Sequence, residues 1–405
     1  MKTEEHTSAV KPSLNEKQAK AITGLILSGG GARAAYQVGV LAAIADLMPE
    51  SAENPFEVIV GTSAGAINAV SLACGALDFQ QAIRKLTGVW QSFRTERVYR
   101  TDWWGVIRQA GRFVGQHLLG FGRGLEPVAL LDNSPLRELL LKELDFSGIN
   151  LAVARRKLRA IAITAFAYQS GQAVTFYQGR GNIEPWVRHR RNGLPTRLHI
   201  EHLMASSAIP LLFPPVRLNH EYFGDGAVRQ AAPISPALHL GADRVLVIGV
   251  RSQVQEEQTI PMTARPPSLA QIGGHLLNST FTDNLESDLE LLGRLNMLGQ
   301  LLPATERKKH FGLSPVEVLV IAPSKKIDEI AARHRHQLPA SLRLFLRGPG
   351  ATRANGGEVL SYLLFERSYC NELIELGYQD AMSKKDELLA FLAISPKVAS
   401  LHPVA

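Results

Sequence analysis

Residues 24–77 read GLILSGGGARAAYQVGVLAAIADLMPESAENPFEVIVGTSAGAINAVSLACGAL, and the alternation inside this stretch decides the fold. A short β-like run, GLIL, ends in Ser28-Gly29-Gly30-Gly31, and a helix-like run follows to Leu47. FEVIV is a second β-like run; it ends in Gly61-Thr62-Ser63-Ala64-Gly65 and feeds a second helical stretch. The order is βαβα, and two strands joined by a helical crossover pair in parallel. Working outward, further strands are expected at Leu158–Phe166, Val174–Tyr177, Glu221–Phe223, Arg244–Val250 and Val316–Ile321. The expected architecture is a mostly parallel sheet with helices on both faces, whose ligands sit at the carboxyl ends of the strands.

The chain has 405 residues, 45% hydrophobic and 20% charged, enough apolar side chain for one large core and too much for a disordered polymer. We read residues 1–23 as a polar, disordered leader, 24–250 as one α/β domain and 251–405 as a mainly helical C-terminal region, with a loop or lid at 253–268. Lys+Arg 44 against Asp+Glu 37 gives +7, which permits attraction to phosphates or anionic membranes without requiring it. Cys74 and Cys370 are the two cysteines, far apart in sequence, so neither a disulfide framework nor a cysteine metal site is expected. No apolar run approaches the ~20 residues of a membrane span. The stretch Ala64–Leu77 is broken by Asn68, and the leader lacks the apolar centre of a signal peptide. These features fit a cytoplasmic protein, free or peripheral at a membrane.

Chemistry gathers at the two strand ends. The Gly29-Gly30-Gly31-Ala32-Arg33-Ala34 turn opens a helix, so uncovered backbone N–H groups meet the positive end of a helix dipole. As G-x-G-x-x-A it also fits a dinucleotide fingerprint, but that site needs an acid at the end of the second strand, where Gly61-Thr62-Ser63 stands instead. The Lys and Ser/Thr of a nucleotide phosphate loop are absent too. Gly61-Thr62-Ser63-Ala64-Gly65 is G-x-S-x-G between strand and helix, the setting that holds a serine hydroxyl in the open at a sharp turn. A hydroxyl nucleophile beside an anion-binding turn is equipped for acyl transfer. For its base, Tyr222-Phe223-Gly224-Asp225-Gly226-Ala227 offers an acid where a short strand must turn tightly; an isolated Asp-Gly would otherwise read as an ordinary turn.

GGGARA, GTSAG and DGA, in this order and spacing, resemble the patatin-like phospholipase family, and Met204-Ala205-Ser206-Ser207-Ala208-Ile209-Pro210 with Phe213-Pro214-Pro215 resembles the block before its aspartate. The resemblance covers about Leu25 to Val250. It implies a three-layer α/β/α fold with a mostly parallel central sheet, here carrying a mainly helical C-terminal extension. It also implies a Ser-Asp dyad without histidine: Ser63 as nucleophile, Asp225 as general base, Gly29, Gly30, Gly31 and Arg33 in the oxyanion loop, with Gly61, Gly65 and Gly226 supporting the turns. No metal or organic cofactor is implied, and the substrate is a phospholipid or lysophospholipid. Ala34 and Ala227 stand where many members have glycine; both replacements are small.

Two other readings of the site are open at this stage. Acids and histidines follow Ser63 in the order of a Ser-Asp-His triad, with Asp225 or Asp243 and then His275, His310, His334 or His336, although none of these histidines has a distinctive setting and His239 suits a helix surface. A catalytically idle lipid-binding or scaffold protein on the same fold is the second. Residues 103–121, WWGVIRQAGRFVGQHLLGF, carry Trp103, Ile107, Ala110, Val114, Leu118 and Phe121 at helical spacing opposite Arg108 and Arg112, as in a helix lying at an anionic membrane surface. The basic clusters Arg155-Arg156-Lys157, Arg188-His189-Arg190-Arg191 and Lys384-Lys385 lack interleaved stacking aromatics, so nucleic acid is not an expected partner. Leu342–Gly357 reads as a glycine-punctuated loop, and Gly357–Met382 as helical.

Overall fold

The first strand, β1 (Thr23–Leu27), lies at the centre of a 10-stranded sheet between β2 (Val58–Thr62) and β9 (Arg244–Ile248), parallel to both. In this computed structural model residues 21–50, 52–102, 129–252, 269–301, 315–347 and 357–394 are described, with Arg108, Gly111, Arg112 and Gly115. Beyond β2 come β3 (Ala160–Ala167), β4 (Gln172–Gly179), β6 (Arg191–Pro195) and β5 (Trp186–Arg188); β10 (Glu317–Ile321) closes the other edge against β9. A hairpin of β7 (Val216–Leu218) and β8 (Glu221–Asp225) attaches to β3 alone. β10, β9, β1, β2 and β3 run parallel; β4 and β8 run against β3.

The central strands are buried on both faces, which is why TGLIL, VIVGT and RVLVI read as nearly continuous apolar runs. Successive residues serve opposite cores. Leu25, Leu27, Ile59, Leu246 and Ile248 face one cluster; Ile26, Val58, Val60, Val245 and Val247 face the other. The first face is covered by α1 (Ala35–Leu47), α2 (Ala64–Cys74) and α3 (Phe79–Gln91), joined at its flank by α4 (Ser134–Glu143), α5 (Ser147–Ala154) and α6 (Ile200–Ser206). The second is covered by α7 (Ser235–His239). Then α8 (Leu269–Asn278), one π-helical turn (Ser279–Asp283) and α9 (Asn284–Gln300) follow, with Leu285, Leu289 and Leu292 on the second cluster. The expected α/β/α layering is present.

The remaining helices are α10 (Ile327–His334), α11 (Ala340–Arg347), α12 (Gly357–Leu363), α13 (Arg367–Ser383) and α14 (Lys385–Leu392), and they pack into the first core. Two local expectations are corrected. The stretch expected to be a loop from Leu342 is helical as far as Arg347, because Ser341 and Leu342 bury against the body and Ser341 Oγ donates to the Thr101 carbonyl at 2.5 Å. The helical run from Gly357 is two helices, broken where Leu364 and Phe365 turn inward. Arg188-His189-Arg190-Arg191 forms the turn of the β5–β6 hairpin, with Arg190 at φ 56. The proposed lid at 253–268, His310 and the aromatic residues of 103–121 lie outside the described residues; Arg108 and Arg112 are helical and exposed. Cys74 and Cys370 are free thiols. Among the described residues no helix is long and apolar enough to cross a membrane, and no group of His, Cys, Asp and Glu is arranged to hold a metal ion.

α1 and α13 meet backbone to backbone. A Cβ on Gly39 would lie 1.9 Å from the Ile374 carbonyl oxygen, and one on Gly377 2.1 Å from that of Tyr36. Gly39→Val should therefore force the helices apart and destabilise the fold by about 3 kcal/mol. Urea unfolding measures this directly, and an unchanged midpoint would contradict the contact.

Candidate active site

Register explains how two residues 162 apart in sequence meet. β2 pairs along one edge of β3 until Thr62 faces Thr164. β8 takes over the same edge from the opposite direction, with Asp225 facing Ala165. The ends of β2 and β8 are thus brought head to head on neighbouring positions of β3. Ser63, one residue past β2, donates its Oγ hydrogen to Asp225 Oδ2 at 2.5 Å. Ser63 takes φ 55, ψ −130, a conformation rarely adopted by a residue with a side chain, at the point where the strand turns into α2. Its N–H donates to Ser206 Oγ at 2.9 Å, and Ser206 in turn donates to the Thr164 carbonyl at 2.7 Å. Ser206 belongs to the sequence block noted above, but nothing in the sequence marked it as the brace under the serine.

Both partners are out of water: Ser63 is 2% exposed and Asp225 0%. Burial pushes the Asp225 carboxyl up to about 7, against the opposing pull of hydrogen bonds from Ser63 and from the Ala227 N–H at 3.0 Å. None of the described histidines considered for a triad is bonded to this pair. His275 faces Glu358 at 3.6 Å, His334 bonds Glu372 Oε2 at 2.6 Å, His336 meets the Arg333 carbonyl at 3.2 Å, and His239 stacks on Trp186 at 4.7 Å. Asp243 is occupied by the Ile22 N–H at 2.8 Å.

The glycine turn stands beside Ser63. A Cβ on Gly29 would be 3.1 Å from Ser63 Cβ and 2.8 Å from Phe281 of the π-helical turn. The N–H groups of Gly29 and Gly30 make no hydrogen bond among the described residues, while Arg33 N–H closes the turn on the Gly30 carbonyl at 3.1 Å. Gly31 has φ 55 and presses on the Tyr362 carbonyl, where a Cβ would lie at 2.3 Å. Arg33 belongs to this turn by its backbone, but its guanidinium is committed to Asp328, Ser361 and the face of Tyr362. Gly61, Gly65 and Gly226 each sit against backbone that leaves no room for a side chain; for Gly226 the neighbour is the Thr164 carbonyl.

From Ser63 a cavity opens between Ile67, Trp90, Phe93, Ile209, Phe213 and Phe365, with about 470 Å³ of space unfilled by atoms, open solvent at its mouth included. Its walls are almost wholly apolar, and Trp90, Phe93 and Phe365 pack edge to face or tilted at 4.7 to 6.3 Å. The arrangement combines a hydroxyl hydrogen-bonded to a carboxylate that titrates near neutrality, N–H groups on the glycine turn that make no hydrogen bond among the described residues, and an almost wholly apolar cavity opening from the serine.

A family model described as patatin-like phospholipase matches residues 25–238, more than half of the chain. The chain belongs to the patatin-like phospholipase family. One curated relative, a cGAMP-activated phospholipase of Pseudomonas aeruginosa, is 26% identical over 217 residues, which are 53% of this chain and 55% of that protein. The chain therefore matches about half the length of that relative. Among solved structures, human GIVD cytosolic phospholipase A2 with methyl gamma-linolenyl fluorophosphonate has a TM-score of 0.43 at 14% identity, covering 92% of this chain and 59% of that one. VipD from Legionella pneumophila has a TM-score of 0.36 at 13% identity, covering 91% and 67%. In this patatin-like phospholipase the family match ends before β9, β10 and the C-terminal helices, although two residues of α12 and α10, Ser361 and Asp328, contact its first motif through Arg33.

Proposed function

We propose that the protein is a lipid acyl hydrolase of phospholipase A or lysophospholipase type, acting through Ser63 and Asp225. The observation that carries this reading is the buried 2.5 Å hydrogen bond between Ser63 Oγ and Asp225. Asp225 takes the hydroxyl proton as Ser63 Oγ attacks the ester carbonyl carbon, and the Gly29 and Gly30 amides receive the developing oxyanion. As the tetrahedral intermediate collapses, Asp225 returns the proton to the departing alkoxide and the acyl group stays on Ser63. A water then attacks the acyl-serine; Asp225 accepts its proton and passes it back to Ser63, releasing the fatty acid. The apolar cavity takes the acyl chain, and the +7 charge favours peripheral contact with anionic membranes. The absence of a histidine beside the pair among the described residues favours the dyad over a triad.

The test is incubation with a mixed phospholipid extract, followed by mass spectrometry of fatty acids and lyso-products, and mapping of a fluorophosphonate adduct by peptide sequencing. Adduct on the Ser63 peptide with released fatty acid is expected. A stable, unlabelled protein that leaves the extract unchanged would support the idle alternative.

The pH dependence follows from Asp225. The base form must be ionised, and its carboxyl titrates at about 7, so kcat/KM should rise with pH and level off above about 8. Below 6 it should fall close to tenfold per pH unit. A profile flat down to pH 5 would remove Asp225 from the base role.

A further inference from the structure

We propose that Asp328 and Ser361 are positioning residues for catalysis: by holding the Arg33 guanidinium, they fix the glycine turn that offers the Gly29 and Gly30 amides to Ser63. This rests on the reading of Ser63 as nucleophile, and it assigns a catalytic purpose to two helices outside the matched family region.

The turn has little means of holding its own shape. Three consecutive glycines leave no side chain to anchor, and glycine loses more conformational freedom on ordering than any other residue. Its fixed points are supplied from elsewhere. Phe281 covers Gly29, Val250 covers Gly30, and the Tyr362 carbonyl rests on Gly31. Past the small, buried Ala32, the next side chain is Arg33, which is 2% exposed and ends at α10 and α12. Its Nε donates to Ser361 Oγ at 2.8 Å, its Nη2 pairs with Asp328 Oδ1, and its guanidinium carbon lies 4.0 Å from the centre of the Tyr362 ring. Ser361 Oγ also lies 3.0 Å from Asp328 Oδ1 and 2.5 Å from the Glu358 carbonyl, so the serine joins the cation to the acid.

An arginine stays charged in a protein, so at this burial it stays where its acceptors are. With Asp328 and Ser361 in place, the guanidinium has one seat, and the backbone of Arg33, hydrogen-bonded to the Gly30 carbonyl, is tied to that seat. Without them the cation must seek water, and the turn follows it. Neither Asp328 nor Ser361 is bonded to Ser63 or Asp225. Their effect passes through the placement of the amides, which matters chiefly when the oxyanion forms. A shift of about 1 Å at such donors costs roughly 100-fold in rate.

The experiment compares full-length wild type, Asp328→Asn, Asp328→Glu and Ser361→Ala. It measures kcat and KM on a soluble short-chain p-nitrophenyl ester, urea unfolding, and amide hydrogen exchange over residues 28–34. Expected for Asp328→Asn is a kcat lower by roughly 10- to 100-fold with KM within about twofold, since the lost interaction acts in the transition state. Exchange should quicken over 28–34 while β1 and β2 stay protected, and Asp328→Glu should recover most of the rate. Ser361→Ala should show the same pattern more weakly. Folded variants with unchanged kcat and unchanged exchange in the turn would overturn the proposal, as would a rate loss shared by every variant in proportion to its unfolding. A wild type without Ser63-dependent hydrolysis would defeat the catalytic reading instead, and the exchange data would still report whether the clamp exists.

Discussion

Ser63→Ala is expected to lower kcat on phospholipid or soluble ester by roughly 10⁴-fold or more while leaving the fold intact. The size follows from the kind of step lost. Without Oγ there is no acyl-enzyme, and what persists is binding plus oxyanion stabilisation of a water-driven reaction. The fold should survive because the position keeps its Cβ and its N–H bond to Ser206, and the strained φ of 55 is as accessible to Ala as to Ser. The carboxyl should respond too. Ser63 donates one of the two hydrogen bonds that restrain the rise of the Asp225 pKa, so the variant should titrate that group still higher. Kinetics, fluorophosphonate labelling and infrared titration of the carboxyl check these three consequences separately. Turnover within tenfold of wild type would end the assignment of Ser63 as nucleophile.

The two residues of this pair were legible in sequence, but not the reason they meet. GTSAG and FGDGA each announce a tight turn after a strand, and the apolar runs of β1, β2 and β9 announce a sheet buried on both faces. That Ser63 and Asp225 converge depends on β8 succeeding β2 along one edge of β3, a long-range register with no local signature. Other parts were hidden for physical reasons of the same kind. Phe365 breaks a helical pattern that has no proline or glycine at that point, since burial beside Trp90 and Phe93 outweighs helix propensity. Arg33 was expected in the oxyanion loop by its place in the motif; the direction of its guanidinium is set by Asp328, 295 residues away.

Asp225→Asn is expected to separate activity from stability, lowering kcat by about 10³-fold or more while raising resistance to unfolding at neutral and alkaline pH. The loss of rate is that of the base: an amide cannot take the Ser63 proton. The gain in stability comes from the cost of keeping a carboxylate at 0% exposure. The native carboxyl titrates at about 7 and the unfolded one near 3.8, so between these values the native state binds the more protons. Stability of the wild type therefore falls as pH rises through that window, by about 4 kcal/mol in full, and the burden is complete above pH 7. Below about pH 4 both states carry a protonated acid and the term vanishes. The amide of the Asp225→Asn variant carries no such term at any pH, and its oxygen can still accept from the Ala227 N–H as the Asp225 carboxylate does at 3.0 Å. The difference in unfolding free energy between variant and wild type should thus be small at pH 4 and grow in the variant's favour up to pH 8. Urea unfolding at several pH values measures it. A variant no more stable than wild type at pH 8 would show that the buried carboxyl is not held at a cost, and would weaken its case as a base for the serine.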